Sequence, residues 1–413
     1  MTTRPRSWRT NLRMVWIAEF LALMGFSATA PIWPLYTQYL GVPEDQLARW
    51  SGIIISAPAF TMGFLAPIWG ALSDRHGRKM MVMRAMFGGA VVIGLMALVT
   101  SVYQLVILRL VQGALTGTVA AATTLVASTT PKERLGETLG KLQLAVFLGQ
   151  SLGPITGGLI ADTLGYRATF TFTAIYLVIA GFVILTKVHE DFTPAPRAEG
   201  RNPLMQLRAS AGLIMGSTLG LLLGLRFASR LGPGMCSPTL PLLVQQLLPV
   251  GSSLENSATG LLSTLSGISS AVAAPLVGRW ADRHGGRGIL FFATLLGGVV
   301  ILSQALSRSY WGLATVQLLQ GVAVGGRLAI LSSFIARVAP EGRTGTAFGL
   351  DSAAVSLSNA IGPSFGGWLA DTYTLRTPFY IGGALMLLSS FGVFKLPQNM
   401  RNAERSATPA QSS

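Results

Sequence analysis

The chain has 413 residues, of which half are apolar and only 11% are charged, whereas a soluble domain carries about 25% charged residues. It holds a single cysteine, Cys236, which excludes an intramolecular disulfide and a thiolate metal site. The net charge of +15 raises the question of a nucleic-acid partner, which the placement of the charges must answer. Apolar runs of about 18 residues or more predict an all-α, multi-pass membrane protein.

The first predicted span follows a basic stretch and resembles a signal peptide that ends at Ala28-Thr29-Ala30. However, Glu19 interrupts the apolar run, and the run continues past the alanines. Its Pro31-x-x-Pro34 ending also reappears as Pro238-x-x-Pro241. The sequence therefore predicts a first helix that is retained.

Twelve spans are predicted in chain order, each long enough for the ~30 Å hydrocarbon core. They cover residues 12–36, 49–72, 80–99, 103–127, 139–162, 168–186, 211–245, 257–281, 288–306, 310–336, 347–371 and 376–395. They divide the chain into an N-terminal six-helix half (1–186), a cytoplasmic linker (187–210), a C-terminal half (211–395) and a disordered cytoplasmic tail (396–413).

The basic residues predict the orientation. An even number of spans places both termini on one side, and most of the 31 lysines and arginines fall in loops and tails on that side. Arg49, Arg167, Arg308 and Arg376 fall on the other side. This positive-inside bias predicts cytoplasmic termini in an inner membrane. The bilayer thus explains the basic charge, and we expect no nucleic-acid partner.

An internal repeat relates the two halves. Gly70-Ala-Leu-Ser-Asp-Arg-His-Gly-Arg-Lys79 recurs 208 positions later as Gly278-Arg-Trp-Ala-Asp-Arg-His-Gly-Gly-Arg287. Gly153-Pro154-x-x-Gly157-Gly158 recurs as Gly362-Pro363-x-x-Gly366-Gly367 at an offset of 209. Duplicated sets of apolar helices are typical of secondary transporters.

The repeated loop has a fixed spacing of glycine and aspartate. Glycine permits a tight turn between helices, and an aspartate past a helix end can accept hydrogen bonds from the N-terminus of a neighbouring helix. Alternatively, Arg75, Arg78 and Lys79 are only topology anchors, but topology does not require this spacing.

This loop resembles motif A of the major facilitator superfamily. The resemblance implies a gate on the cytoplasmic face, where Asp74 holds the two halves together. The implied gate residues are Gly70, Asp74, Arg75, Gly77, Arg78, Asp282 and Arg283. The second copy has Gly286 where the first has Arg78.

The fifth span carries Gly149-x-x-x-Gly153-Pro154-x-x-Gly157-Gly158, a glycine face for close packing with a proline that bends the helix. Ordinary helix packing explains such a pattern when it stands alone. In this position it resembles motif C of the twelve-helix drug:proton antiporters, and Arg109-x-x-Gln112-Gly113 is similar to their motif B. The surroundings of Trp50-Ser-Gly-Ile53 and Gly165-Tyr-Arg167 resemble the MdtG-type multidrug exporters.

A charged residue inside the membrane costs roughly 2.5–3.5 kcal/mol, and five of those in the predicted spans are candidates for proton coupling. They are Glu19, Arg109, Arg226, Arg327 and Asp351. In the superfamily, spans 1, 4, 7 and 10 line the central cavity, which implies that the first four of these residues face it. Only the two carboxyl groups can exchange protons near neutral pH, and Glu19 is our first choice.

The depths of Asp351 and Arg327 predict a pair, which either couples protons or is a static salt bridge. Glu19 has an alternative as a residue near the cytoplasmic end of its helix that reaches water. Candidate cavity residues are apolar, aromatic or amide side chains: Phe20, Met24, Gln112, Phe227, Gln317 and Gln320, with Phe26, Phe147, Met235, Gln143, Gln150 and Asn359 also available.

These features predict a monomeric transporter, not an enzyme, that needs no metal or cofactor. It would export small apolar or cationic compounds in exchange for protons by alternating access. One alternative is a major facilitator exporter or proton symporter for a sugar or an anionic metabolite, since three arginines would suit an anion. Another is a membrane sensor that transports nothing. The chain has no phosphate-binding Gly-x-x-x-x-Gly-Lys-Ser/Thr loop that would indicate a primary pump.

Overall fold

The computed structural model describes residues 8–190, 218–339 and 344–397, which fold into helices joined by short turns. All but the first two residues of the predicted tail, and most of the predicted linker, lie outside these residues. The N-terminal half contains α1 (Trp8–Ala28), α2 (Trp33–Tyr39), α3 (Leu47–His76), α4 (Arg78–Met96), α5 (Val102–Leu115), α6 (Thr118–Thr129), α7 (Leu135–Leu164) and α8 (Tyr166–Lys187). The C-terminal half contains α9 (Thr218–Cys236), α10 (Leu240–Leu247), α11 (Glu255–His284), α12 (Gly286–Leu306), α13 (Tyr310–Val338), α14 (Thr344–Thr372) and α15 (Thr377–Gly392).

The all-α prediction is confirmed for the described residues. Among them, eight helical segments are long and apolar enough to cross a bilayer, or nine if α1 and α2 form one bent span. The count of twelve spans stays a prediction. All fifteen helices can be assigned to the twelve predicted segments because three of those segments are each broken into two helices.

The three breaks occur where the sequence weakens the helix. α1 and α2 meet at a 50° bend, and Pro34 lies in the first turn of α2. α5 and α6 are separated at Gly117, whose φ of +119° is a conformation that side chains with a Cβ rarely adopt. α9 and α10 are likewise separated, and Pro241 lies in the first turn of α10.

Each half has its own apolar core, and the helices pack in the same order in both. In the N-terminal half α1 packs against α7 and α4 against α8; in the C-terminal half α9 packs against α14 and α12 against α15. The halves meet along two further helix pairs, α3 with α14 and α7 with α11. The repeat relates α3 to α11 and α7 to α14, so it converts one of these pairs into the other. The molecule therefore has a pseudo-twofold arrangement.

Candidate functional site

The two halves are in close contact at one end, which we call the closed end; it carries the turns around Gly41, Gly165 and Gly251. Here a Cβ atom on Gly158 of α7 would overlap the backbone of α11 at Asn256. A Cβ atom on Gly367 of α14 would likewise overlap the backbone of α3. Glycine is therefore required at both positions for this approach of the helices.

The same helices separate toward the other end, the motif end, which carries the repeated turns at Gly77 and Gly285. Gly140 precedes Gly158 by 18 residues and Gly349 precedes Gly367 by 18, which is about five helical turns and places each pair on one helix face. No atom of the residues that the structure describes lies within 4 Å of a Cβ atom placed on Gly140 or Gly349. The halves thus diverge from the closed end.

A cavity of about 500 Å³ lies between the halves. The N-terminal half contributes one apolar stretch of α3, and the C-terminal half contributes polar and charged groups from α9, α13 and α14. The lining residues are Ile55, Pro58, Ala59, Met62, Arg226, Ser229, Arg230, Pro233, Gly234, Ser237, Val324, Arg327, Leu328, Asn359 and Pro363. A volume of this size is typical of sites for small organic molecules.

Asp351 pairs with Arg226 and not, as the sequence predicted, with Arg327. Arg226 Nε donates to Asp351 Oδ1 over 2.6 Å and Nη2 donates to Oδ2 over 2.9 Å, while Nη2 also donates to Ser332 Oγ over 2.8 Å. Both members are buried. The prediction failed because depth in the membrane does not specify which face of the helix a residue occupies.

The cavity carries more positive than negative charge. Arg327 is 3% exposed, and its Nη1 has no hydrogen-bond partner among the described residues. Arg230 lies one turn after Arg226 and lines the same cavity. Within the described parts of the chain no ion pair joins Arg230 or Arg327 to a carboxylate. The Arg226–Asp351 pair is neutral as a unit, so the two other guanidinium groups set the sign of the site.

Glu19 is completely buried in α1, away from the residues that line the cavity. Its carboxyl group lies beside the hydroxyl of Thr118, the first residue of α6 after the helix break. Neither carboxyl oxygen completes a regular hydrogen bond with the residues that the structure describes. The expectation that Glu19 faces the cavity is therefore wrong in this conformation, and so is the alternative that it reaches water.

Arg109 ties helices of the N-terminal half together instead of facing the cavity. Its Nε donates to the Ile54 carbonyl of α3 over 2.8 Å and its Nη1 to Gln112 Oε1 over 2.6 Å. Its guanidinium group lies 4.3 Å from the centre of the Trp33 ring. These contacts satisfy the charge with neutral partners, so the predicted cavity position of Arg109 is wrong and Gln112 is its partner.

None of the six principal cavity candidates lines the cavity. Phe20 stacks on Trp16 with ring centres 5.7 Å apart, and Gln317 and Gln320 are buried in α13. Met24 packs beside Gly149 and Gly153, and the carbonyl of Phe227 accepts a bond from Ser358. From the wider set only Asn359 lines it. The sequence analysis did not identify the cavity-lining residues of α3. These residues belong to an unbroken apolar run, and such a run does not indicate which face of the helix lines a cavity.

The glycine-proline motif of α7 serves two interfaces. Gly149, Gly153 and Gly157 form a stripe against α1, where added Cβ atoms would overlap the backbone near Met24 and Ala28. A second face turns to α11: besides the contact of Gly158, the carbonyl of Pro154 lies against Gly260. The same motif therefore allows α7 to pack closely against α1 in its own half and against α11 in the other half.

At the motif end, Gly77 (φ +91°) joins α3 to α4. The first amides of α4, at Arg78 and Lys79, donate to the Glu190 carboxylate over 3.0 and 2.8 Å. Arg75 and Arg283 are exposed. Of the remaining predicted gate residues, Gly70 is placed in α3, whereas the side chains of Asp74 and Asp282 lie outside what the structure describes.

Comparison with known proteins agrees with the duplicated fold. The Major Facilitator Superfamily profile matches twice, at residues 15–224 and 222–411. The chain is 32% identical over 406 residues to the multidrug resistance protein MdtG of Proteus mirabilis, covering 96% of this chain and 100% of that protein. MdtG of Citrobacter koseri is 30% identical over 390 residues, with 94% of each chain covered.

Solved structures show the same fold. The nucleoside transporter NupG superposes with a TM-score of 0.77 at 14% identity, covering 93% of this chain and 99% of that chain. A D-xylose-proton symporter superposes with a TM-score of 0.73 at 16% identity, covering 94% and 98%. These proteins are membrane transporters and not enzymes. The chain belongs to the major facilitator superfamily.

Proposed function

We propose that the chain is a proton-coupled exporter of small apolar or cationic compounds that works by alternating access. The observation that carries this proposal is the wedge-shaped junction, in which Gly158 and Gly367 are in contact with the other half while Gly140 and Gly349 contact none of its described residues. A rocking motion that closes the motif end would expose the cavity at the other end. The similarity to multidrug resistance proteins supports efflux of drugs.

We further propose that the closed end faces the outside and that both termini are cytoplasmic, in the inner membrane. The support is the excess of basic residues in the loops at the motif end. The conformation described is then inward-facing, with its cavity available to compounds from the cytoplasm. Each half completes its own core, so a monomer is sufficient for this cycle.

The proton gradient can drive such export. One proton that crosses about 100 mV contributes ~2.3 kcal/mol, and one pH unit adds ~1.4 kcal/mol. For a neutral compound exchanged one for one, the sum corresponds to a concentration ratio of roughly 500. Export against a substantial gradient is therefore feasible with a single proton.

Everted membrane vesicles with an acidic lumen test the proposal. Addition of a cationic dye should release protons from the lumen, which a pH-sensitive fluorophore reports as recovery of fluorescence. Sugars and carboxylates are screened in parallel. Proton movement in the same direction as the compound would instead indicate symport, and no proton movement with any class would contradict proton coupling.

The Asp74 gate is a separate expectation from motif A. Asp74→Asn should slow transport about fivefold, because loss of the charge weakens attraction to a helix N-terminus in the state with the motif end closed. Initial transport rates and equilibrium ligand binding are measured together, and binding should stay unchanged. His76→Gln in the same loop is the control. An unchanged transport rate for Asp74→Asn would contradict the gate and would leave the loop with a role in membrane topology alone.

Export of an organic anion is the second candidate, favoured by the guanidinium groups of Arg230 and Arg327. Removal of a hydrogen bond to a charged group costs about 1.5–3 kcal/mol. For an anionic substrate, Arg230→Gln and Arg327→Gln should therefore each lower the apparent affinity about tenfold or more. Cation transport should be unchanged or improved. The exposed Arg308→Gln is the matched control, and anion transport that both variants retain in full would contradict this candidate.

A further inference from the structure

Two aspartates occupy equivalent places at the closed end. The repeat in the fifth and eleventh predicted spans extends beyond its glycines and reads Gly-Pro-x-x-Gly-Gly-x-x-Ala-Asp in both copies, at 153–162 and 362–371. Asp162 therefore lies near the end of α7 and Asp371 near the end of α14. Each follows by four residues the glycine that contacts the other half.

Both carboxylates accept hydrogen bonds across the junction. Asp162 Oδ1 accepts from the Asn256 amide over 3.2 Å, and Oδ2 accepts from the Ser257 amide over 2.7 Å. Asp371 Oδ1 accepts from the Ala48 amide over 3.1 Å, and Oδ2 from the Arg49 amide over 2.8 Å. In each case a carboxylate of one half binds two successive amides in the first turn of a helix of the other half.

The helices that are bound in this way have no cap of their own. α3 begins after Gln46 and α11 begins after Leu254, and neither residue caps its helix with a side-chain hydrogen bond. The first amides of a helix lack partners within the helix, and the helix dipole makes that end attractive to an anion. The missing caps of α3 and α11 are thus supplied by the opposite half.

We propose that Asp162 and Asp371 form a double latch that holds the closed end shut. The proposal rests on the alternating access of the proposed function, because it assigns these residues to one of its two states. Separation of the halves at this end must break both sets of bonds and leave the first amides of α3 and α11 without their caps. The glycines at 158 and 367 allow the approach, and the aspartates hold it.

Distances across the closed end test the latch without a transport assay. Leu98 and Leu306 are exposed, occupy equivalent positions at the ends of α4 and α12, and are not part of the junction. In a Cys236→Ser background, spin labels at Leu98→Cys and Leu306→Cys report the separation of the halves by pulsed electron paramagnetic resonance. A second label pair within one half, at 98 and 164, reports whether that half keeps its fold.

Asp162→Asn and Asp371→Asn should each raise the ratio of open to closed molecules about fivefold, and the double variant should raise it further. The matched control is Asp45→Asn, which removes an exposed carboxylate at the same end that makes no such cap. It should leave the distances unchanged. Because asparagine can still accept one bond, Asp162→Ala and Asp371→Ala are made as well and should shift the ratio at least as far.

The latch is overturned if the double variants keep the wild-type distances across the junction while the label pair within one half is also unchanged. It is equally overturned if Asp45→Asn shifts the distances as much as Asp371→Asn does. A shift in the aspartate variants combined with no proton-coupled export by the wild type would support the latch and reject the proposed function. Proton-coupled export by the wild type, combined with unchanged distances in the aspartate variants, would support the proposed function and reject the latch.

Discussion

Glu19→Gln is expected to abolish the response of export to a pH gradient while substrate binding is retained. The carboxyl group is fully buried and has no regular hydrogen bond or basic partner among the described residues. An uncompensated carboxylate in such surroundings is strongly disfavoured, so a proton must accompany Glu19 whenever this conformation is reached. Glutamine imitates the protonated side chain and has no proton to release.

Substrate accumulation at imposed pH gradients measures this effect. For each pH unit the wild type should gain about tenfold in accumulation if one proton is exchanged, and Glu19→Gln should gain nothing. Exchange of labelled for unlabelled substrate needs no net proton movement and should persist in the variant. Glu44→Gln, an exposed carboxylate at the closed end, serves as the control. Full coupling in Glu19→Gln would remove Glu19 from the mechanism.

The location of Glu19 also suggests how a group outside the cavity can take part. It lies beside the start of α6, where Gly117 breaks the fourth predicted span. A break in a helix leaves backbone groups unpaired and allows the two segments to change their angle. We propose that movement of α6 relative to α1 gives Glu19 access to water in the other state of the cycle.

The repeat and the resemblance to a known family predicted most of the fold. Apolar runs located the helices, and the offset of about 208 residues predicted two equivalent halves. The break at Gly117 was not predicted because a single glycine is common within membrane helices. This break matters for the site because Thr118, which lies beside the carboxyl group of Glu19, is the first residue after it.

The site was less predictable, for a geometric reason. Sequence position gives the depth of a residue in the membrane, but the face of the helix depends on bends and packing. Arg226 and Arg327 do line the cavity, whereas Arg109 turns to Trp33 within its own half. Asp162 and Asp371 carried a usable signal: following the repeat four residues beyond Gly158 and Gly367 would have found them.

Breaking the Arg226–Asp351 pair should strongly destabilise the protein. Both side chains are buried, and removal of one partner leaves an unpaired charge, a change that costs about 3–5 kcal/mol. Arg226→Gln and Asp351→Asn should therefore each lower the unfolding temperature of purified protein, whereas Arg226→Gln combined with Asp351→Asn should recover most of the loss. Arg134→Gln is the control, because its ion pair with Glu137 is exposed and screened by solvent.

The double variant also decides between the two roles left open for Asp351. If it recovers both stability and proton-coupled export, the pair is a static salt bridge and the proton is carried elsewhere. If it recovers stability but exports without response to the pH gradient, Asp351 takes part in coupling, because neutral substitutes retain the packing and lose only the exchangeable proton. Both roles assume that Asp351 forms a buried, bidentate pair with Arg226. Single variants that are as stable as the wild type would contradict that pair.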